Sequence, residues 1–128
     1  MEWLDYLGWN DMQLTELRSV AYSYVKQGKY AIALKFFEAL NILSTEDAYD
    51  LQMLGAIHLQ MGHNLDALNF IDQALKKSPN HLPTLLNRAK SLFALGYKKQ
   101  AVAQAKSLLL VDEKDIAQKA DALLLSYL

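Results

Sequence analysis

Residues 51–79 read LQMLGAIHLQMGHNLDALNFIDQALKKSP, and the rest of the chain repeats this unit. Gly55 lies inside an apolar run, Gly62 makes a turn, and Ala67 returns a small residue. A second apolar stretch then carries Ile71 and Ala74 before Ser78-Pro79 stops it. A shift of 34 residues in either direction recovers the pattern: Gly28, Gly62 and Gly96; Ala33, Ala67 and Ala101; Leu17, Leu51 and Leu85; Ala21, Gly55 and Ala89. A period of this length marks stacked helix pairs, each too small to bury its own apolar face. Such a chain works through a surface that binds, not through a catalytic motif.

Composition sets outer limits. At 128 residues and 52% apolar, the chain is long enough for a core and too apolar for disorder. Thirteen basic and fourteen acidic residues give a net charge of −1 with no basic stripe, so nucleic-acid binding has no electrostatic footing. No cysteine is present, which excludes disulfides and thiolate metal sites and fits a reducing compartment. The start, Met1-Glu2-Trp3-Leu4-Asp5, is acidic where a signal peptide is basic, and no apolar run approaches spanning length. The expectation is a cytoplasmic protein without a membrane span.

Read in order, residues 1–11 form an apolar arm ahead of a repeat domain over 12–128. Trp3, Leu4, Leu7 and Trp9 in that arm have two readings: a helical turn capping the first repeat, or a contact for a second copy or a partner. Asn10-Asp11 caps a helix over about 12–26, whose core face is Leu14, Leu17, Val20, Ala21 and Tyr24. Its partner covers 30–43 after Gly28. Ser44-Thr45-Glu46-Asp47 caps the next pair, 48–61 and 65–77, and Ser78-Pro79-Asn80 precedes the third, 82–95 and 97–111. Residues 116–128 close the stack as a capping helix, with Ile116, Ala120, Leu123, Leu124 and Tyr127 inward. The small residues mark where paired helices cross closest, and Tyr24, His58 and Leu92 fill the wider space beside them.

These residues resemble the tetratricopeptide repeat family. Repeat one shows Leu17, Val20, Ala21, Tyr24, Gly28-Lys29-Tyr30, Ala33 and Phe37; repeat two shows Leu51, Leu54, Gly55, His58, Gly62, Ala67, Ile71, Ala74 and Pro79. Repeat three departs at Arg88 and Ala105. The resemblance implies an all-α, right-handed α-solenoid of three helix hairpins, over 14–47, 48–81 and 82–115, with the capping helix behind them. Within the family, Gly28-Lys29-Tyr30, Ala39-Leu40, Leu54-Gly55-Ala56 and Met61-Gly62 are similar to type III secretion chaperones of translocators. The reduced arm also admits the smaller chaperones that guard needle or early export subunits.

That resemblance implies a concave groove lined by the first helix of each pair. The groove positions are Arg18, Tyr22, Val25, Tyr49, Met53, Ala56, Leu59, Leu86, Lys90 and Phe93, mostly apolar, with Arg18 and Lys90 as the placed cations. The implied partner is a protein: a secretion-substrate segment, with a second small chaperone or a second copy as alternatives. A scaffold joining folded proteins is the competing reading. The two-carboxylate clamp of heat-shock co-chaperones is missing, because Met53 and Pro83 stand at clamp positions. Neither enzyme chemistry nor a cofactor or metal is expected: His58, His63 and His81 share no helical face at ligand spacing, and no phosphate loop or nucleophile motif occurs.

Overall fold

The computed structural model describes residues 3–45 and 47–127, and among these it contains eight helices and no strand. They run α1 (Trp3–Leu7), α2 (Asp11–Lys26), α3 (Tyr30–Leu43), α4 (Ala48–Gln60), α5 (Asn64–Lys77), α6 (Leu82–Ala94), α7 (Lys98–Ser107) and α8 (Lys114–Tyr127). Each helix packs on its successor from α2 onward, and α4 also meets α6 while α6 meets α8. That is a helical repeat solenoid of three hairpins, α2–α3, α4–α5 and α6–α7, closed by α8.

The hairpin turns are three copies of one device. Gly28, Gly62 and Gly96 all adopt positive φ, at 74°, 79° and 84°, the left-handed conformation that only glycine reaches cheaply. In each turn the following residue donates back across the helix end: Lys29 N to Tyr24 O, His63 N to His58 O, and Tyr97 N to Leu92 O, all at 2.9 Å. These are Schellman closures, which satisfy carbonyls the helix end would otherwise leave unpaired. The first-helix starts differ more. Asn10 makes a full capping box with Gln13, through bonds of 2.8 and 3.0 Å. Asp47 accepts from the Asp50 amide at 3.1 Å, whereas the Glu46 named in the same capping sequence lies outside the described residues, as do Met1, Glu2 and Leu128.

The small residues lie where close crossing requires them. Ala21, Ala33, Ala67, Ala89 and Ala101 are fully buried. A Cβ built on Gly55 would fall 2.7 Å from Ile71 Cγ1 and 3.5 Å from the Ala67 carbonyl oxygen. The aromatic slots beside them are filled by stacks, Tyr24 on Phe36 at 5.5 Å and His58 on Phe70 at 5.4 Å between centroids. Arg88, apolar in a regular repeat, bridges outward to Asp72 at 2.9 Å and Gln104 at 3.1 Å, tying α6 to α5 and α7.

Three expectations change. Val20 is exposed, not core. The second helix of hairpin three stops at Ser107, not 111, and the chain tightens through Leu108 N to Ala105 O and Leu109 N to Lys106 O. There the Ser107 hydroxyl donates to the Gln104 carbonyl at 2.6 Å, a local bond that competes with further helix, and Leu108 turns into a cluster with Leu86, Ile116 and Ala120. In α8, Ile116, Ala120 and Leu124 are buried as expected, but Tyr127 is only half covered.

Candidate peptide-binding trough

Among the leading helices, α4 packs on α6 and is tied to α2 by the Arg18–Asp50 pair, and some of the expected groove positions meet on the face they share. Tyr22 on α2 and Tyr49 on α4 are both exposed, at 45% and 38%. Partial burial raises the Tyr49 phenol above its ordinary value, and the neighbouring Tyr22 phenol and Asp50 carboxylate raise it further. On the same three helices Val25, Ala56 and Leu59 line a cleft of about 170 Å³ together with Tyr30, Ile57, Gln60 and Asn87. One cleft thus draws walls from all three leading helices. A larger opening of about 570 Å³ adjoins it through Tyr30 and Gln60 and runs along the turn edge past Gly28, Ile32 and Met61.

Not every groove position reaches this face. Leu86 and Phe93 are buried, at 4% and 6%. Phe93 lies flat on Tyr127 of α8, with centroids 4.4 Å apart and planes 13° from parallel, and Leu86 joins Leu108, Ile116 and Ala120. Both belong to positions that face the next leading helix along the stack, and α8 occupies that place behind α6. Met53 is half-buried against the first core cluster, and Lys90 is half-buried on α6.

Arg18 is committed elsewhere. Its Nε and Nη2 donate to the two oxygens of Asp50 at 2.8 Å each, and Asp47 lies 3.5 Å from Nη2. Asp50 is fully buried. Burial pushes its carboxyl above the usual carboxylate range, and Arg18 pulls against that; the same hydrogen bonds raise the guanidinium. The pair locks α2 to α4 and commits the Nε–Nη2 edge of the guanidinium to Asp50. Tyr30 is the wall of this cleft that comes from a second helix, where a count over leading helices does not look; its signal was the Gly28-Lys29-Tyr30 turn itself.

In the arm, Leu4 and Trp9 pack against the first core cluster. Trp3 and Leu7 stay exposed, and Trp3 meets Tyr6 edge-on at 6.0 Å.

The histidines require a correction. His58 fills its packing slot, but its Nδ1 also sits 3.1 Å from Nδ1 of His63. With Asp66 the two place one ligand atom each within 4.8 Å of one another. Helical spacing does not pair residues five apart; the left-handed Gly62 turn does. His81 instead bonds Thr84 Oγ1 at 2.6 Å.

The sequence profile of the family described as "Anaphase-promoting complex, cyclosome, subunit 3" matches residues 26–108, which leaves out the arm, the first leading helix and the cap. The chain belongs to this tetratricopeptide-repeat family. Membership accounts for the 34-residue register and the repeated glycine turns. Among curated proteins, the FK506-binding protein-like protein of Mus musculus is 37% identical over 68 residues, and its Rattus norvegicus counterpart matches equally. The match takes in 53% of this chain and spans only 20% of the length of those relatives.

Solved structures extend the likeness to nearly the whole chain. The Yersinia enterocolitica type III secretion chaperone SycD, in complex with a peptide of the translocator YopD, aligns with a TM-score of 0.77 at 21% identity, over 91% of this chain and 96% of that one. PcrH, in complex with the chaperone binding region of PopD, aligns at 0.77 and 24% over 94% of each. A type III secretion system complex from Aeromonas hydrophila reaches 0.85 at 21%, over 97% and 86%. At these identities the likeness establishes the fold. No helix among the described residues is long and apolar enough to cross a membrane.

Proposed function

We propose that this chain is a cytoplasmic type III secretion chaperone that binds an extended apolar segment of an export substrate in its trough and keeps that substrate soluble before export. One observation carries the reading. Val25, Ala56, Leu59 and Asn87, drawn from three successive leading helices, open into one cleft, and the leading helices α2 and α4 also expose the rings of Tyr22 and Tyr49. An extended peptide crosses such a face and seats alternate side chains in it. Each buried anchor is worth roughly 1.5–3 kcal/mol, so three or four hold a segment against its ordering cost. The solved neighbours support the reading, since SycD holds a peptide of the translocator YopD and PcrH holds the chaperone binding region of PopD. The role needs no catalytic group.

The ligand contacts proposed are Tyr22, Val25, Tyr30, Tyr49, Met53, Ala56 and Leu59, with Lys90 at the far rim. Arg18, Leu86 and Phe93 shape the trough from behind. The exposed Trp3 and Leu7 are the proposed contact for a second copy or a second small chaperone.

Co-expression tests the proposal. A translocator, needle or early subunit that is insoluble alone should become soluble with this chain, and Tyr22→Ala or Leu59→Glu should remove the rescue while leaving the helical melting transition in place. A partner that is folded and soluble by itself sinks the chaperone reading in favour of a scaffold that joins folded proteins.

A further inference from the structure

The Schellman closure that ends each leading helix presses two side chains together: that of the residue five before the turn's last position and that of the last position itself. In hairpin one these are Tyr24 and Lys29, with the ammonium 6.0 Å over the ring; in hairpin three the same backbone bond joins Leu92 and Tyr97. Hairpin two alone puts imidazoles in both places, His58 and His63. Three residues on, where the other hairpins carry Ile32 and Gln100, it has Asp66. A rigid backbone motif thus gathers three metal-ligating side chains at one turn.

We propose that His58 Nδ1, His63 Nδ1 and the Asp66 carboxylate form a binding site for a divalent first-row transition ion, Zn2+ above all, at the α4–α5 turn. Two Zn–imidazole bonds of about 2.05 Å at the tetrahedral angle set their nitrogens about 3.3 Å apart. The observed 3.1 Å is close to this spacing, and the exposed His63 ring must also turn so that its Nδ1 lone pair leaves the line to His58 and points at the ion. Asp66 closes the remaining gap, at most 4.8 Å, by a side-chain rotation that its exposed position permits. His58 is held in place by its parallel stack on Phe70, 4° from coplanar, so the buried ligand is fixed before the ion arrives.

Without metal, one Nδ1 donates to the other. On binding, that proton moves to the Nε2 of the same ring, and both Nδ1 lone pairs face the ion with no net proton released. Two imidazoles and one carboxylate leave a fourth position for water or a partner's side chain. Imidazole and carboxylate select Zn2+, Cu2+, Ni2+ or Co2+ over Ca2+ or Mg2+, which take oxygen ligands.

The test uses the full chain, freed of any affinity tag and treated with chelator, and titrated with Zn2+ by calorimetry and with Co2+ by visible absorption. The expected result is saturable binding of one ion per chain, low-coordinate Co2+ bands, and a rise in Tm with Zn2+ but not Mg2+. His63→Lys, which copies hairpin one, and Asp66→Asn alter exposed side chains; each should weaken Zn2+ binding at least about tenfold. His58→Tyr also copies hairpin one, keeps a ring on Phe70, and should remove binding. His81→Ala should bind like the unaltered chain. Non-saturating binding, an affinity unmoved by His63→Lys, or loss of binding in His81→Ala overturns the proposal.

Discussion

Phe93 and Tyr127 lie face to face, 4.4 Å between centroids, and this stack closes the far end of the proposed trough. The equivalent positions Val25 and Leu59 stay in the open cleft because the leading helices behind them leave room, whereas α8 sets a ring against Phe93. Charge at these positions should therefore act differently. Phe93→Glu buries a carboxylate without a partner and should cost about 3 kcal/mol or more of stability. Leu59→Glu should leave most of the stability and remove peptide binding. Urea melts beside calorimetry with a peptide separate the two; equal melts for both variants contradict the closed end.

The Arg18–Asp50 pair should behave as a unit. Asp50→Ala leaves Arg18 four-fifths buried without its main partner, and Arg18→Leu leaves a fully buried carboxylate unpaired. Each should cost about 3–5 kcal/mol at pH 7. The double variant Arg18→Leu/Asp50→Leu replaces the pair with apolar volume, as Leu86 does in hairpin three, and should cost far less than the sum. Additive losses in a double-mutant cycle would show that the two side chains act independently.

Gly55→Ala improves helix propensity by about 1 kcal/mol. The new Cβ nevertheless meets the branched Ile71 side chain at 2.7 Å and the Ile71 amide nitrogen at 3.3 Å. Overpacking of this kind costs about 1–3 kcal/mol, and here it wins, although hairpins one and three accept alanine at Ala21 and Ala89. A lowered Tm, largely restored when Ile71→Ala is added to Gly55→Ala, is the expected outcome. A gain in Tm from Gly55→Ala alone would place Ile71 further off.

Burial lowers the His58 imidazole from its ordinary value near 6.5, while Asp66 and Glu38 pull it back upward and His63 lowers it further. The unfolded chain therefore takes up this proton at a higher pH than the folded one does. Stability should be constant above about pH 7, fall as pH drops through 6.5, and level off once the folded imidazole also protonates. His58→Tyr should flatten that slope. Thermal melts from pH 8 to 5.5 in chelator measure it, and an unchanged slope in His58→Tyr would assign the loss to other groups.

Much of this molecule is legible in its sequence, for a physical reason. Glycine at a left-handed turn and a small residue at a close crossing are local demands, and a 34-residue period repeats them three times, so Gly28, Gly62, Gly96 and the small residues opposite one another fix hairpins and register without reference to the whole. The fate of each groove position is not local. Arg18, Leu86 and Phe93 repeat as faithfully as Tyr22 and Leu59, yet a position facing along the stack is open or sealed according to what the next leading helix brings, which is Asp50 for Arg18 and Tyr127 for Phe93. The meeting of His58 with His63 is likewise a product of the folded turn: helical counting keeps residues five apart on different faces, and only the reversal at Gly62 brings their nitrogens together.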